Sequence, residues 1–174
     1  AGNSGYHFQL LTAVIEVNHL QRRRVVTKLK QRLGGRLRGR RVALLGLTFK
    51  PNTDDLREAA SIVLAGRLRA EGATVAGYDP MIAAAPHELF PGVTICAAAL
   101  DALRHADAAV LVTEWPELVR LDWAAARELM ARPLVVDGRN SLDREALLAL
   151  GFEYEGVGVP DHVRLPAGGQ PELA

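Results

Sequence analysis

Cysteine is almost absent: Cys96 stands alone among 174 residues, which excludes an internal disulfide framework and suits a reducing compartment. Charge of either sign nearly cancels. A net charge of +1 leaves no overall field to draw nucleic acid or an anionic membrane surface, although Arg22 to Arg41 concentrates the basic excess. No apolar run approaches the roughly 20 residues needed to cross a bilayer, and the N-terminus lacks the charged-then-apolar order of a signal peptide. These absences predict a cytoplasmic chain with no membrane or nucleic-acid partner. An initiator methionine is also missing, and Ala1 leads within a few residues into a helical pattern, so the sequence is expected to be a segment of something longer.

Two phosphate-binding fingerprints are missing as well. A dinucleotide site needs G-x-G-x-x-G so that backbone can press against a pyrophosphate at a helix N-terminus, and the first strand-end loop holds only Gly46. No G-x-x-x-x-G-K-[ST] loop occurs either. The five histidines, His7, His19, His87, His105 and His162, show no metal-ligand spacing, and no metal site is expected.

What is present is apolar material in two periods, with nearly half of the residues hydrophobic, 49%, enough for a sizeable core. From Tyr6 to Leu33 there is no glycine or proline, and Phe8, Leu11, Val14, Ile15 and Val17 recur at helical spacing. This predicts one long helix ended by Gly34-Gly35, with Leu10, Ala13 and Leu20 widening its apolar face for contacts on two sides, either buried within its own domain or lying between domains or subunits. From Arg41 the chain alternates short β-branched runs with helical stretches. Strands are predicted at Val42 to Leu45, Thr74 to Tyr78, Val93 to Ile95, Ala109 to Thr113, Leu134 to Val136 and Tyr154 to Val157. Helices are predicted at Glu58 to Ala70, Ala97 to Arg104, Trp123 to Met130 and Asp143 to Leu150. Buried strands alternating with helices imply right-handed crossovers, hence an α/β domain with a doubly wound, Rossmann-like parallel sheet behind the long N-terminal helix. The expected organisation is a helix over 1–35, an α/β domain over 36–163, and a disordered tail over 164–174.

Ligands of such sheets lie beyond the carboxyl ends of the strands. There, "FKPNTDDLRE" presents Phe49 and Lys50, and "LVVDGRN" presents Arg139. An arginine grips a phosphate bidentately and a lysine supplies a mobile point charge, so two cations from two strand ends point to an anionic ligand, with Phe49 suited to a base or sugar face. Asp55 and Glu58 have the spacing of a capping box, and Asp79-Pro80 reads as a chain turn. Cys96 reads as a buried structural thiol, Trp115 as a cover for the sheet edge, and Glu114 as a cap for the turn after it.

The segments "GLTFKPNTDDLRE", "YDP", "TEW" and "DGRN", in this order, resemble the C-terminal nucleotide-sugar-binding domain of the UDP-glucose/GDP-mannose dehydrogenase family. "LLTAVIEVNHLQRRRVVTKL" is similar to that family's central helix, through which two subunits associate. The resemblance runs from about Leu10 to Pro160, with Thr48 standing where members often have alanine.

This resemblance implies a part of an NAD-dependent enzyme that oxidises the C6 alcohol of a nucleotide sugar to a carboxylate in two hydride transfers. It implies Phe49, Lys50 and Arg139 at the UDP-sugar site, with Thr53, Asp55 and Arg57 as signature positions of the same loop. It implies a homodimer through the N-terminal helix. NAD would be held by an N-terminal domain outside this sequence, as would the catalytic cysteine; no catalytic residue and no activity are expected of this chain alone. Two other readings compete: a non-catalytic oligomerisation scaffold whose α/β domain is vestigial, and, last, a stand-alone NAD-binding domain, which would need the missing glycines.

Overall fold

Residues 23–157 are described by a computed structural model. In chain order they form helix α1 (23–32), β1 (Arg41–Leu45), α2 (Ala60–Ala70), β2 (Thr74–Tyr78), β3 (Thr94–Ile95), α3 (Ala99–Leu103), β4 (Ala108–Leu111), α4 (Pro116–Val119), α5 (Trp123–Leu129), β5 (Leu134–Asp137), α6 (Arg144–Ala149) and β6 (Glu153–Gly156). The six strands make one parallel sheet in the order β3-β2-β1-β4-β5-β6. This is the doubly wound architecture expected from the alternation of strands and helices, with the order reversing between β1 and β4.

Strand periodicity divides the core in two. Val42 and Leu44 of β1, Ala108 and Val110 of β4, and Leu134 and Val136 of β5 face one way, against Leu29 and Leu33 near α1 and Leu64 and Leu68 of α2. Ala43 and Leu45, Ala109 and Leu111, and Val135 face the other way, against Leu103, Trp123, Ala126 and Leu147. Both faces are covered, which is why these strands read as continuous apolar runs rather than alternating ones.

A buried charge fixes α1 to this frame. Glu155 of β6, only 4% exposed, accepts a hydrogen bond from Lys28 Nζ at 2.6 Å and pairs also with Arg32. Because the ion pair is directional, it sets the position of α1 on the sheet and not merely its attachment. Most of the long helix expected from Tyr6 lies outside the described residues, as does the tail expected from Leu165.

Two local expectations fail. Helix α2 begins at Ala60, not Glu58, and its N-cap, Ala59, makes no side-chain capping bond. Asp55 and Glu58 therefore form no capping box: Glu58 adopts a left-handed φ of 59°, and Asp55 turns to its neighbour Arg57. Cys96 is partly rather than fully buried, with its Sγ 3.8 Å from the Thr94 carbonyl oxygen. A short helix, α4, has no counterpart in the predicted elements; Pro116 opens it with the fixed φ that a first turn needs.

The register levels the strand ends. Leu45 pairs with Tyr78 and with Leu111, and Leu111 pairs with Asp137, so the loops after β1, β2, β4 and β5 leave the sheet side by side. At this edge Gly46 has a φ of 82°, and a Cβ placed on it would come within 2.6 Å of the Thr113 carbonyl oxygen. Both the backbone strain and the overlap act against any side chain. Gly46→Ala should lower stability by at least about 2 kcal/mol in urea unfolding; a change within experimental scatter would show that the contact with Thr113 relaxes freely.

Candidate functional site

The centre of the strand-end edge is a buried carboxylate. Asp79, 1% exposed, ends β2 and reaches back over β1. Its Oδ2 accepts from Leu47 N at 2.6 Å, Thr48 N at 2.9 Å, Thr48 Oγ1 at 2.9 Å and the Trp115 indole Nε1 at 3.1 Å, while Oδ1 accepts from Met81 N at 2.9 Å. The turn expected at Asp79-Pro80 exists, but its aspartate also clamps the loop after β1 to the loop after β4. An isolated buried charge would be untenable; this one is compensated by donors on every side. The Thr113 hydroxyl donates to the Thr48 carbonyl, adding a second tie between the same two loops.

Asp137 does the corresponding work at the end of β5. It is fully buried, and it accepts from Arg139 N, Ser141 N, Leu142 N and the Tyr154 hydroxyl. The turn it stabilises carries Arg139. Gly138 is needed beside it, because a Cβ there would lie 2.7 Å from the Leu111 carbonyl oxygen.

These two turns bring Phe49 and Arg139 together. Arg139 donates through Nε to the Val112 carbonyl at 2.8 Å and through Nη2 to the Phe49 carbonyl at 3.3 Å. Both residues line a cavity of about 330 Å³ bounded by Val25 of α1, Ala60 and Leu64 of α2, Val110 to Val112, Asn140 and Val157. Phe49 is 49% exposed, unusual for so large an apolar side chain. Lys50 follows it with an exposed side chain and is not among the residues that line the cavity. Only Phe49 and Arg139 of the expected trio thus share a wall.

Thr53, Asp55 and Arg57 form a closed turn of their own. The Thr53 hydroxyl accepts from Asp55 N, the Asp55 carbonyl accepts from Phe49 N, and the Asp55 carboxylate accepts from Arg57 N, Nε and Nη2. The Arg57 hydrogen bonds hold the Asp55 carboxyl down at about 2, below the usual carboxylate range. Glu114 caps nothing: the N-cap of α4 is Trp115, and the Glu114 carboxylate instead stands 2.9 Å from Arg139 Nε.

Sequence reasoning missed Asp79, Asp137, Thr48 and Thr113 as the frame of the site. A signal existed in the two aspartates that each end an apolar strand, since a carboxylate there must either face solvent or collect backbone donors. Among the described residues no group of acidic, histidine or cysteine side chains is arranged to hold a metal ion, and no helix is long and apolar enough to cross a membrane.

Known proteins match the chain in sequence and in fold. A family model described as "UDP-glucose/GDP-mannose dehydrogenase family, UDP binding domain" matches residues 43–144. The chain is 44% identical over 159 residues to the UDP-glucose 6-dehydrogenase YwqF of Bacillus subtilis, covering 91% of this chain and 36% of that protein. It is 41% identical over 166 residues to a UDP-glucose 6-dehydrogenase of Pseudomonas aeruginosa, covering 92% of this chain and 37% of the relative. A solved UDP-glucose dehydrogenase from the archaeon Pyrobaculum islandicum superposes with a TM-score of 0.69 at 37% identity, over 84% of this chain and 31% of that one. The chain therefore spans a little over a third of the length of these curated relatives.

Replacing Asp79 by Asn removes the charge and leaves an amide donor facing either the Leu47, Thr48 and Trp115 donors or the Met81 amide. Asp79→Asn should cost roughly 2–4 kcal/mol and change the tryptophan emission, as the Trp115 indole loses its carboxylate acceptor and keeps only the Thr48 hydroxyl; unchanged emission and stability would contradict the clamp. A second outcome follows from two phenols that donate to carboxylates. Burial and Glu117 push Tyr78 up to about 12, and burial and Asp137 push Tyr154 up further. Their folded pKa values lie above the ordinary value near 10, so their contribution is intact below pH 10; that of Tyr78 is lost as pH rises through about 12 and that of Tyr154 only above it. Tyr78→Phe should flatten the alkaline decline in thermal midpoint; an unaltered slope would count against the Glu117 hydrogen bond.

Proposed function

The chain belongs to the UDP-glucose/GDP-mannose dehydrogenase family, and on that premise we propose that it is the nucleotide-sugar-binding part of an NAD-dependent UDP-sugar 6-dehydrogenase. The observation that carries this reading is the meeting of Phe49 and Arg139 at one cavity on the carboxyl edge of the sheet, beside α1. In this reading the Arg139 guanidinium, held in plane by the Val112 and Phe49 carbonyls, grips the diphosphate. Lys50 adds a flexible positive charge at the mouth, and the Phe49 ring lies against the base or sugar. Thr53, Asp55 and Arg57 shape the loop without touching the ligand. UDP is the nucleotide proposed.

The oxidation of C6 to a carboxylate belongs, in this proposal, to a protein of the relatives' length. The residues here do not fit NAD. Asp79, placed where a ribose-reading acid would stand, is buried and already holds five donors, and the space above Gly46 is taken by Thr113. Cys96, half-buried at the end of β3, is unsuited to the catalytic thiol, and burial raises its pKa. Substrate oxidation is therefore not expected from this chain by itself. Dimerisation through the N-terminal helix and a cytoplasmic setting complete the proposal.

Calorimetric titration of the chain with UDP and UDP-glucose should give saturable binding. Arg139→Ala should weaken it by about 10- to 100-fold and Lys50→Ala by a smaller factor, with the fold intact by circular dichroism. No heat and no thermal shift at millimolar UDP-sugar or GDP-mannose would overturn the reading.

A further inference from the structure

The Arg139 guanidinium has its orientation fixed without any carboxylate. Its one Nε–H is committed to the Val112 carbonyl at 2.8 Å, and Nη2 reaches the Phe49 carbonyl. Yet Glu114 places Oε2 only 2.9 Å from the same Nε. Because that proton points elsewhere, no hydrogen bond joins them, and Glu114 Oε2 is a buried oxygen with no donor. Buried acceptors of this kind are uncommon and destabilising. What Glu114 contributes at this position is negative charge rather than geometry.

We infer that Glu114 is a specificity-determining residue that offsets the charge of Arg139, so that the site gives a free nucleoside diphosphate or pyrophosphate less advantage over a sugar-esterified diphosphate than Arg139 alone would. This rests on the nucleotide-sugar reading above. A free nucleoside diphosphate ends in a phosphate with a second ionisation near pKa 6, whereas esterification by a sugar removes that charge. A fully positive arginine would bind the more highly charged ligand more tightly. With a carboxylate against the guanidinium, added negative charge on the ligand meets repulsion as well as attraction, and the advantage of the free diphosphate shrinks. The half-exposed setting of the pair keeps the effect moderate, since solvent screens it.

The test is calorimetric titration of the wild-type chain, Glu114→Gln, Glu114→Ala and Glu114→Asp with UDP, UDP-glucose and uridine at low and physiological salt. Glu114→Gln and Glu114→Ala should bind UDP about 3- to 10-fold more tightly, UDP-glucose by a smaller factor and uridine unchanged, with the UDP gain shrinking as salt rises. Glu114→Asp, which keeps the charge, should stay near wild type. Loss of UDP affinity in Glu114→Gln, or an equal change for uridine, would overturn the inference and make Glu114 a structural partner of Arg139. A wild-type chain that ignores all three ligands would instead overturn the nucleotide-sugar reading, and this inference with it. Glu114→Ala removes the unpartnered oxygen, so its thermal midpoint should not fall; two variants that remove the same charge by different shapes guard against a local packing artefact.

Discussion

A buried carboxylate cannot remain in the interior of a sheet edge unless donors surround it, and Asp79 obeys this constraint by drawing three loops onto itself. Its acceptors collect the backbone of Leu47 and Thr48 after β1, the indole of Trp115 after β4, and the turn at Met81 after its own strand. Each of these loops is irregular and would otherwise leave unpaired backbone groups in a dry place. The carboxylate satisfies them together, so the shape of one loop depends on the others. Phe49 and Lys50 emerge where they do because Thr48, the residue before them, is held through both its amide and its hydroxyl.

Asp137 repeats the device across the point where the strand order reverses. Asp79 and Asp137 stand at the ends of the strands that flank β1 and β4, and each accepts from the backbone of its own turn. Trp115, Thr48 and Thr113 are hydrogen-bonded to one another, while Arg139 lines the open cavity with residues of α1 and α2. A dinucleotide binder of the same topology keeps the β1 loop thin with glycines so that a pyrophosphate can approach. Here the one glycine of that loop abuts Thr113, and the open cavity lies instead on the helical face beside β4 and β5. The acid at the end of β2 is spent on holding the β1 and β4 loops.

The sheet was legible because its strands are buried on both faces, and a run such as "VALLGL" between turn residues has no good alternative. Helix α6 was legible for a similar reason: Asp143 caps it by accepting from Ala146 N, a bond between near neighbours. Asp55 had the spacing for the same role, yet Arg57 two residues away offers three donors and the chain enters a left-handed residue at Glu58 before the helix starts. Spacing alone cannot rank those partners. The frame of the site was illegible for a more general reason: Asp79 lies 31 to 36 residues from Thr48 and Trp115, so nothing local marks them as partners. Phe49 and Arg139, 90 residues apart, could be nominated from motif chemistry but not shown to touch. Glu114 was misread because its partner, Arg139, belongs to the next strand.

The wall of the cavity opposite Arg139 comes from α1 and from the end of β6, and the same two elements are joined by Glu155 with Lys28 and Arg32. Apolar contact between a helix and a sheet tolerates small sliding, because dispersion and burial change little over a fraction of a turn. An ion pair made by a buried carboxylate does not, since a shift of an ångström or two leaves the charge desolvated without its partner. Asn140 fastens the other side of that wall by donating from Nδ2 to the Val157 carbonyl at 2.8 Å, from a backbone held at a φ of 54°. The distance between Val25 and the Arg139 turn is therefore set by polar links as well as by the packing of Val25, Val26 and Leu29, and the volume of the cavity is set with it. The helix that begins the described chain is in this sense a component of the site, and its placement is a condition for the cavity that Phe49 and Arg139 share.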